Sequence, residues 1–462
     1  MAVRELAAKH AVKRISPFLG KMSDKDLERL LWMSARLSPT ESTRSLCRSL
    51  DRMCQEQHST IEVLRRAIRE MAPHVRERLG TNLLVNQYML GDLTRQQLRN
   101  EGLAAPDAYL ISPTMRCNLH CPGCYAANYS QKDDLELDVI DRVLTEGKEL
   151  GMYWVTVLGG EPFVRHDMWE MYRQHNDVFF QVFTNGTLID EEATKKLADV
   201  GNVLVIFSIE GLEEQTDARR GAGDFQMIMQ GMDRLRLAGV PFGFSTMVTR
   251  HNVDTVISDE FNDMLIEKGC LVGWHFLYIP VGRDPDTTLM PTAEQRELMR
   301  RRGAQHIRNE KPIFIVDFWN DAPYVGGCIA GGRHYFHINA RGDVEPCIFV
   351  HMATDSIREK PLKDVLNSPY FTGIRAHQPY GDNLLRPCMI LDHPHVLRGL
   401  EAEFHPFSTD GPLCGLTTTV ASDLDRYSED AARVLDPVWE QEFASKRQPD
   451  AVHTATLQES PE

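Results

Sequence analysis

From Ala108 onward, short apolar runs alternate with amphipathic stretches, and this rhythm constrains the fold more than any other feature of the chain. The apolar runs are AYLIS, YWVTVLGG, VFFQVFTNG, NVLVIFSIEG, PFGFSTMVT and GWHFLYIPVG. Helix-like segments such as LDVIDRVLTEGKEL and DEEATKKLADV lie between most of them. Strands and helices that alternate in this way predict an α/β fold built on a parallel sheet with right-handed crossovers. Six such units indicate a closed or partial barrel, and we expect a partial, TIM-like (β/α)6 barrel.

Other patterns flank the barrel. The predicted domains are an N-terminal helical domain at 1–104, the barrel at 105–291, a small α+β domain at 292–400 and a C-terminal extension at 401–462. Helical periodicity covers Lys25–Leu37 and Glu41–Met53, and Ser59–Glu62 is a candidate capping box. The stretch from about Ser445 is polar and without periodicity, which predicts a disordered tail.

Composition excludes some functions. The chain has 462 residues, a formal net charge of −15 and a sequence pI of about 5.6. This acidic balance argues against nucleic-acid binding, which needs excess Lys and Arg, and no apolar run is long enough to cross a bilayer. The basic segment 1–22 lacks the apolar core of a secretory signal; it fits either a helix packed on its neighbours or a peripheral contact with an anionic membrane. We therefore expect a cytoplasmic protein whose cysteines are reduced, so that clustered thiols indicate metal binding.

Three of the ten cysteines, Cys117, Cys121 and Cys124, follow the first predicted strand. In βα barrels the chemistry lies on loops at the carboxyl ends of the strands, so this loop occupies the expected chemical face. Thiolates are the preferred ligands of iron–sulfur clusters, and three of them leave one iron of a [4Fe–4S] cubane without a protein ligand. Zinc is the alternative, because Cys121 and Cys124 alone also have the spacing of half a zinc ribbon.

Residues 108–283 resemble the core of the radical S-adenosylmethionine (SAM) superfamily, whose signature the loop MRCNLHCPGCY matches. The resemblance implies that Cys117, Cys121 and Cys124 hold a [4Fe–4S] cluster whose open iron binds the amino and carboxylate groups of SAM. One electron from the cluster then cleaves SAM to methionine and a 5′-deoxyadenosyl radical. The family usually has an aromatic residue where this chain has Gly123, and Tyr125 is the candidate replacement against the adenine.

The resemblance also assigns SAM contacts to later strand ends. Gly159, Gly160, Glu161 and Pro162 match the Gly-Gly-Glu-Pro motif that holds the amino group of SAM, and a carboxylate suits an ammonium. Further positions similar to family contacts with the ribose and the methionine carboxylate are Thr184, Asn185, Ser208, Glu210, Arg220 and Thr246. Glu210 stands where aspartate is commoner. Each isolated Asn-Gly or Arg-Gly pair also has a plain turn as its alternative.

A second cysteine set lies in the small domain. The spacing of this set resembles the opening of the SPASM and twitch extensions, because 13 residues separate Cys328 from Gly342 and four separate Gly342 from Cys347. The resemblance implies an auxiliary [4Fe–4S] cluster. The dense cysteine run of a full SPASM domain is absent, which favours the twitch form with one auxiliary cluster. Cys388 is the expected third ligand, and Cys414 is either a fourth ligand or a core thiol. We expect three ligands, with zinc again as the rival. The alternatives for the nearby histidines are a role as a replacement ligand or, more commonly, hydrogen bonding or exposure to water. They are His334, His337, His351, His393 and His395.

These patterns predict a radical SAM enzyme that abstracts hydrogen from, or adds to, a substrate at the barrel mouth. A reducing partner such as ferredoxin or flavodoxin is implied. Three substrate classes stay open: a peptide or protein, a cofactor precursor, and a lipid. Phe318, Trp319 and Tyr324 are candidate pocket residues, with core packing as the equal alternative. The competing class is a non-enzymatic iron–sulfur or zinc protein for electron transfer or scaffolding, which would not need the Gly-Gly-Glu-Pro motif.

Overall fold

The computed structural model describes residues 9–10, 12–14, 23–37, 40–130, 132–411 and 414–444. The predicted N-terminal amphipathic segment therefore lies mostly outside the described residues, although 9–10 and 12–14 are helical. The tail predicted from Ser445 lies outside them entirely. Among the residues described, no helix combines the length and the apolarity that a membrane crossing requires.

The N-terminal region is helical, as the sequence predicts. Its helices are α1 (Asp24–Leu37), α2 (Glu41–Gln55), α3 (Ser59–Glu70), α4 (Pro73–Gly80) and α5 (Asp92–Asn100), and a π-helical segment (Thr81–Gly91) joins the last two. The expected capping box at Ser59 is wrong. The N-cap of α3 is His58, whose Nδ1 accepts from the Thr60 N–H, while the Ser59 hydroxyl donates to the Arg308 carbonyl. Ser59, and the His58 ring through Asn309, thus tie the start of α3 to a later part of the chain.

Seven parallel strands follow in sequence order. They are β1 (Ala108–Thr114), β2 (Trp154–Gly159), β3 (Phe179–Thr184), β4 (Val203–Ser208), β5 (Phe242–Val248), β6 (Val272–Leu277) and β7 (Phe314–Asp317). The helices between β1 and β6 are α6 (Leu137–Glu149), α7 (Met168–Gln174), α8 (Glu191–Val200), α9 (Glu213–Arg220), α10 (Asp224–Ala238), α11 (Val253–Val256) and α12 (Asp259–Lys268), with a 3-10 turn at Pro162–Val164. Between β6 and β7 lie a 3-10 turn (Thr287–Leu289), α13 (Ala293–Leu298), a π-helical segment (Met299–Ile307) and α14 (Arg308–Glu310). The six predicted βα units are present, and β7 adds a strand that the sequence did not predict.

The sheet is open and is extended at both edges by the region after residue 292. The remaining strands and helices are α15 (Ala322–Val325), β8 (His337–Ile338), β9 (Val344–Glu345), β10 (Met352–Ala353), α16 (Leu362–Leu366), α17 (Pro369–Ala376), α18 (Pro394–Phe404), β11 (Phe407–Ser408) and α19 (Ala421–Glu442). The sheet order is β7-β6-β5-β4-β3-β2-β1-β8-β9, with β8 parallel to β1 and β9 antiparallel to β8. This linear strand order leaves the sheet unclosed, which agrees with the partial barrel that the sequence predicts. The domain limits proposed from the sequence stay a prediction, since strands from 292–400 belong to the same sheet.

The principal core lies between the sheet and its outer helices. Val155 and Val157 on β2 and Val205 and Phe207 on β4, the two strands that flank β3, are completely buried there. Each such side chain contributes roughly 1.5–3 kcal/mol relative to exposure, so this layer fixes which side of every strand faces the helices. The alternate residues of each strand face the concave side of the partial barrel.

The N-terminal helices close the amino end of the barrel. Val75 and Leu79 on α4 form an apolar cluster with Phe179, against which Trp154 and Leu204 pack. Polar side chains of the same region bind backbone carbonyls near the strand starts: Asn82 Nδ2 donates to Val178 O at 2.8 Å and Arg78 Nη1 to Val200 O at 2.7 Å. The carboxyl ends of the strands face the other way, and the predicted chemical loops lie there.

Candidate active site

Parallel pairing between β1 and β2 places the loop that carries Cys117 beside the end of β2. Thr114 at the end of β1 pairs with Gly159 at the end of β2. Beyond that pair, the Gly160 N–H donates to Thr114 O at 3.0 Å and the Glu161 N–H donates to Arg116 O at 2.8 Å. The cysteine loop and the Gly-Gly-Glu-Pro motif, which the sequence placed on separate strand ends, therefore lie in direct contact.

Both glycines of the motif are required by this close approach. A Cβ on Gly160 would lie 2.1 Å from the Arg116 carbonyl oxygen, and one on Gly159 would lie 2.5 Å from that of Thr114. Gly159 also has φ +110°, which L side chains rarely adopt. Any side chain at either position would push the strand end away from the backbone that leads to Cys117.

Glu161 joins the ends of β2 and β3 beneath the loop. Its buried Oε1 accepts from the Thr184 hydroxyl at 2.8 Å and from the Phe163 N–H at 3.1 Å, while Oε2 accepts from the Asn185 N–H at 2.7 Å. Burial raises the pKa of Glu161 to about 7, although these hydrogen bonds oppose the rise. The carboxylate is thus occupied by protein donors and holds Thr184 and Asn185 in place.

Asn185 extends this arrangement to the first cysteine. Its Nδ2 donates to Asn118 Oδ1 at 2.8 Å and lies 3.8 Å from Cys117 Sγ, which also accepts from the Leu119 N–H at 3.4 Å. Burial raises the pKa of Cys117 to about 11. N–H donors around a thiolate are the kind of outer contact that tunes an iron–sulfur cluster.

Two cationic side chains, Arg219 and Arg220, act electrostatically on Cys121. The buried Glu210 carboxylate accepts from Arg219 Nη1 at 2.5 Å and Arg220 Nη2 at 2.6 Å through Oε1, and from the Met247 N–H at 3.2 Å through Oε2. Burial alone would raise the pKa of Glu210, but the charges of the two arginines outweigh it and lower the pKa. Burial raises the pKa of Cys121, and the charge of Arg220 opposes that rise, which places this guanidinium within electrostatic reach of the thiol. Glu210 thus binds both arginines, and the charge of Arg220 also acts on the Asp224 carboxylate.

Ser208 and Thr246 are not brought together. The Ser208 hydroxyl lies 3.4 Å from that of Ser245, on the concave side of β4 and β5. Thr246 shares the opposite side of β5 with Phe244 and Val248, which belong to the helix-facing core. The structure therefore does not place Thr246 at the site, and Ser245 occupies the concave position that the sequence assigned to its neighbour.

Tyr125 has two contacts that the sequence did not predict. Its hydroxyl accepts from the Gly159 N–H at 3.3 Å, and its ring packs edge-on against Phe349 with centroids 6.0 Å apart. The side of the loop beside Gly123 is taken by Tyr278, just after β6: a Cβ on Gly123 would lie 2.9 Å from Tyr278 Cε2. Tyr125 therefore connects the cysteine loop to the segment after Cys347, whereas the ring adjacent to Gly123 belongs to a residue that only the fold brings there.

The auxiliary cysteines come from three separate segments. Cys328 follows α15, Cys347 follows β9, and Cys388 precedes α18. Burial raises the pKa of both Tyr335 and Tyr380, and negative charge on the three cysteine sulfurs raises it further. Each tyrosine therefore lies within electrostatic reach of all three cysteines. The Cys388 sulfur accepts from the Ile390 N–H at 3.4 Å. The structure thus gathers Cys328, Cys347 and Cys388 around two tyrosines.

Cys414 lies at the border of this set, because its charge and that of Cys347 both raise the pKa of Tyr370, whereas Tyr335 and Tyr380 are affected by the other three thiols. Cys414 is buried, and burial raises its pKa to about 11; the strongest charges that act on it are those of Asp410 and Glu401. Across the described residues, no group of three or more Cys, His, Asp and Glu side chains is arranged to hold a metal ion by itself. In the described part of the chain, neither cysteine set therefore forms a ready-made site for a single ion.

Comparisons with known proteins decide the family. The sequence profile of the Radical SAM superfamily matches residues 111–259, and that of SPASM, an iron–sulfur cluster-binding domain, matches residues 328–389. Mycofactocin maturase MftC of Mycolicibacterium smegmatis is 30% identical over 337 residues, which cover 67% of this chain and 82% of that protein. The chain belongs to the radical SAM superfamily.

Other relatives and structures agree. The AdoMet-dependent heme synthase of Methanosarcina barkeri is 26% identical over 335 residues, covering 66% of this chain and 94% of that protein. Streptococcus suis SuiB bound to its precursor peptide SuiA has a similar fold, with a TM-score of 0.54, 20% identity and coverage of 64% of this chain and 74% of SuiB. The chain is therefore a radical SAM enzyme, which decides against the non-enzymatic alternative. It uses a [4Fe–4S] cluster with SAM and carries an auxiliary iron–sulfur domain.

The side chains of this radical SAM enzyme fit those cofactors. Three thiols on one loop leave an iron free, the paired glycines bring backbone close to the loop, and Arg219 and Arg220 supply positive charge for a ligand carboxylate. When bound, the cluster and SAM supply the radical chemistry, while the protein supplies orientation and exclusion of water. The SPASM match ends just after Cys388 and leaves Cys414 outside.

A buried polar chain connects the two cysteine regions of the radical SAM enzyme. Ser112 Oγ lies 2.7 Å from His337 Nε2, His337 Nδ1 lies 2.6 Å from Glu345 Oε2, and the Tyr129 hydroxyl donates to Glu345 Oε1 at 2.7 Å. Burial would raise the pKa of Glu345, but the contact with His337 and nearby charges lower it. Other histidines of this region are also hydrogen-bonded, as expected: His351 contacts Asp410 and His334 contacts Asp107.

Proposed function

We propose that Cys117, Cys121 and Cys124 ligate the cluster at which SAM is reductively cleaved to methionine and a 5′-deoxyadenosyl radical. The observation that carries this assignment is the contact set around Cys117: the register between β1 and β2 places the Gly-Gly-Glu-Pro backbone against it, and Glu161 holds Asn185 beside its sulfur. A protein that only transferred electrons would have no need of this cradle.

The SAM contacts proposed for the remaining residues follow from charge and position. The backbone of Gly159–Pro162 faces the amino group of SAM, because the Glu161 carboxylate is already occupied by three protein donors. Arg220, with Arg219, pairs with the SAM carboxylate, and Glu210 positions both guanidiniums rather than contacting the ligand. Thr184, Asn185 and Ser208 contribute at the neighbouring strand ends.

The auxiliary domain is proposed to hold one [4Fe–4S] cluster through Cys328, Cys347 and Cys388. The shared neighbours Tyr335 and Tyr380 support this set of three, and the different charges that act on Cys414 support a core role for that thiol. We keep the limits 105–291 for the barrel and 292–400 for the auxiliary domain as functional units. A low-potential one-electron donor such as ferredoxin or flavodoxin in the cytoplasm completes the system.

The test is anaerobic. Reconstituted protein is incubated with SAM and dithionite, and 5′-deoxyadenosine is measured by chromatography. We expect product in the absence of substrate, as uncoupled cleavage, and the same from a Cys270→Ala control, since Cys270 is a buried thiol in the main core. Protein with about eight irons per chain, as two cubanes require, that forms no 5′-deoxyadenosine would refute the proposal.

A further inference from the structure

Five aromatic side chains form a continuous surface on the concave side of the barrel, which we call the aromatic wall. Its members are Phe183 on β3, Trp274 and Phe276 on β6, Phe318 just after β7, and Tyr335 before β8. Phe183 lies 6.1 Å, centroid to centroid, from both Trp274 and Phe276, and Phe318 lies 5.6 Å from Trp274, 5.2 Å from Phe276 and 6.3 Å from Tyr335. These separations are typical of rings in direct contact.

The wall spans the space between the two cysteine regions. Strands β3 and β6 are separated in the sheet by β4 and β5, so a contact between Phe183 and Trp274 crosses the concave side. At one end, Phe183 directly precedes Thr184 and Asn185, which contact Glu161 and Cys117. At the other end, Tyr335 lies near the thiols of the auxiliary set. A molecule on the wall would therefore lie between the proposed radical source and the auxiliary cluster.

The rings of the aromatic wall are more exposed to solvent than the aromatic rings on the helix-facing side of the sheet. All five of its side chains are half-buried, whereas Phe180, Phe207 and Phe244 on the helix-facing side of the same sheet are completely buried. Below the wall, the amino end of the barrel is closed by Trp154, Phe179 and helix α4. The half-exposed ring faces therefore border a space that is reached from the carboxyl end.

The strands β3 to β5 beside the wall contribute no charge, and the charged pair His337–Glu345 beyond Tyr335 is hydrogen-bonded within the protein. The concave positions of β3 to β5 around the wall are Gln181, Leu204, Ile206, Ser208, Gly243, Ser245 and Met247. None of these side chains is ionisable, so a charged group placed on the wall would lose its hydration without gaining a partner. An apolar group of the same size would gain roughly 25 cal/mol for each Å² removed from water.

We infer that the part of the substrate that enters the barrel is an uncharged aromatic or branched-alkyl group, which packs on the aromatic wall. This inference rests on the proposed function, because it takes the carboxyl end of the barrel as the place of reaction. It names the chemistry of the group that the radical approaches. The same group can be a side chain of a peptide or part of a free small molecule, and the experiment below distinguishes these sources.

The experiment is equilibrium dialysis of the anaerobically reconstituted protein against 2-acetylnaphthalene, an uncharged bicyclic probe. We expect saturable binding that Trp274→Ala weakens about tenfold, equivalent to about 1.4 kcal/mol, and that Trp274→Phe preserves within about threefold, because the ring is retained. Phe318→Leu is the second variant, in case the first fails to retain its clusters. The matched control is Leu237→Ala, since Leu237 on α10 is 91% exposed and remote from the wall. Equal binding by the wild type, Trp274→Ala and Phe318→Leu would overturn the inference.

Competition then identifies the source of the group. Displacement of the probe by N-acetyl-L-phenylalaninamide supports a peptide side chain, whereas displacement by free naphthalene alone supports a small molecule; both support the inference. Displacement by decanol alone would overturn it, because a linear chain lacks the proposed shape. Displacement by SAM would also overturn it, since the wall would then belong to the SAM pocket.

The same samples separate this inference from the proposed function. Formation of 5′-deoxyadenosine without probe binding refutes the inference and leaves the radical assignment intact. Probe binding without 5′-deoxyadenosine, in protein with full iron content, refutes the radical assignment instead.

Discussion

The two cysteine regions of this enzyme are assembled in different ways. Cys117, Cys121 and Cys124 share one loop, and the spacing alone fixes them near one another. Cys328, Cys347 and Cys388 lie on three segments that β8, β9 and the start of α18 bring together. The first set needs only one strand end to be in place, whereas the second needs the whole auxiliary domain to fold.

Each region also contains a buried carboxyl group, and the pKa values of these two groups are shifted in opposite directions. Glu161 is surrounded by neutral donors, and burial raises its pKa to about 7. Burial would also raise the pKa of Glu345, but the imidazole of His337 and nearby charges lower it. The radical region therefore contains a carboxyl group close to its titration point at neutral pH, while the auxiliary region contains one that stays ionised.

The largest expected effect comes from removing a cysteine of the loop. Cys121→Ala should abolish 5′-deoxyadenosine formation and reduce iron to about four per chain, since the loop has no fourth thiol to replace the ligand. Iron analysis and the cleavage assay check this, with Cys270→Ala as the control that loses a thiol from the main core. If Cys121→Ala cleaved SAM at the wild-type rate, the cysteine loop would not be the place of SAM cleavage.

The second prediction concerns the auxiliary set. Cys347→Ala should also reduce iron to about four per chain but retain part of the uncoupled cleavage, because SAM does not bind at that cluster. The amount of 5′-deoxyadenosine formed per bound SAM, measured for Cys121→Ala and for Cys347→Ala, tests this difference in uncoupled cleavage. If Cys347→Ala loses cleavage as completely as Cys121→Ala, the auxiliary cluster is required for the fold of the loop.

The third prediction separates the auxiliary ligands from their neighbour. Cys388→Ala should lower iron to about four per chain, whereas Cys414→Ala should keep about eight, because the charges around Cys414 come from Asp410 and Glu401 rather than from the other thiols. Both variants remove one largely buried sulfur, so each serves as the control for the other. An equal loss of iron would mean that the auxiliary cluster has four protein ligands.

The fourth prediction uses the difference in pKa. Below pH 7 the protonated Glu161 carboxyl group can no longer accept all three of its hydrogen bonds, so the loop at Asn185 should loosen. SAM affinity should therefore fall several-fold between pH 8 and pH 6. Glu161→Gln should bind SAM more weakly at pH 8 but with little change over the same range. The dissociation constant of SAM, measured with the cluster-loaded protein, checks the slope; parallel slopes for wild type and variant would exclude Glu161 as the titrating group.

The smallest effect is expected at Tyr125. Tyr125→Phe removes the acceptor for the Gly159 N–H and keeps the ring on Phe349, so SAM affinity should fall only about two- to threefold, as for one neutral hydrogen bond. Iron content should not change. Tyr427→Phe is the control for SAM affinity, because its hydroxyl donates to the Pro291 carbonyl and not to a residue of the cysteine loop. A loss of iron from Tyr125→Phe alone would show that this tyrosine positions the cluster itself.

The parts predicted from the sequence are those with local signals. The three-cysteine loop, the paired glycines and the first six strands depend on short spacings and on alternation along the chain. The family profiles and the open parallel sheet confirm the fold class and the SAM and iron–sulfur cofactors. Strand β7 was missed because its apolar run, Phe314–Asp317, is short and follows a long helical stretch.

The parts missed depend on contacts between distant segments. Tyr278 beside Gly123 carries no motif, although its position just after a strand is a weak signal. Thr246 was assigned to the site from its position at a strand end, and alternation on β5 turns it to the other side. Of the candidate pocket residues, Phe318 joins the aromatic wall, while Trp319 is buried and Tyr324 is exposed beside Phe443.

The closure of the amino end by helix α4 has a kinetic consequence. SAM, the substrate and every product must use the same mouth, since Val75, Leu79 and their partners fill the opposite end. The rings of the aromatic wall lie deeper in the barrel than the strand ends near the cysteine loop, where the proposed SAM contacts lie. We therefore expect SAM and the substrate to compete for one entrance, so that a large excess of either slows the entry and release of the other.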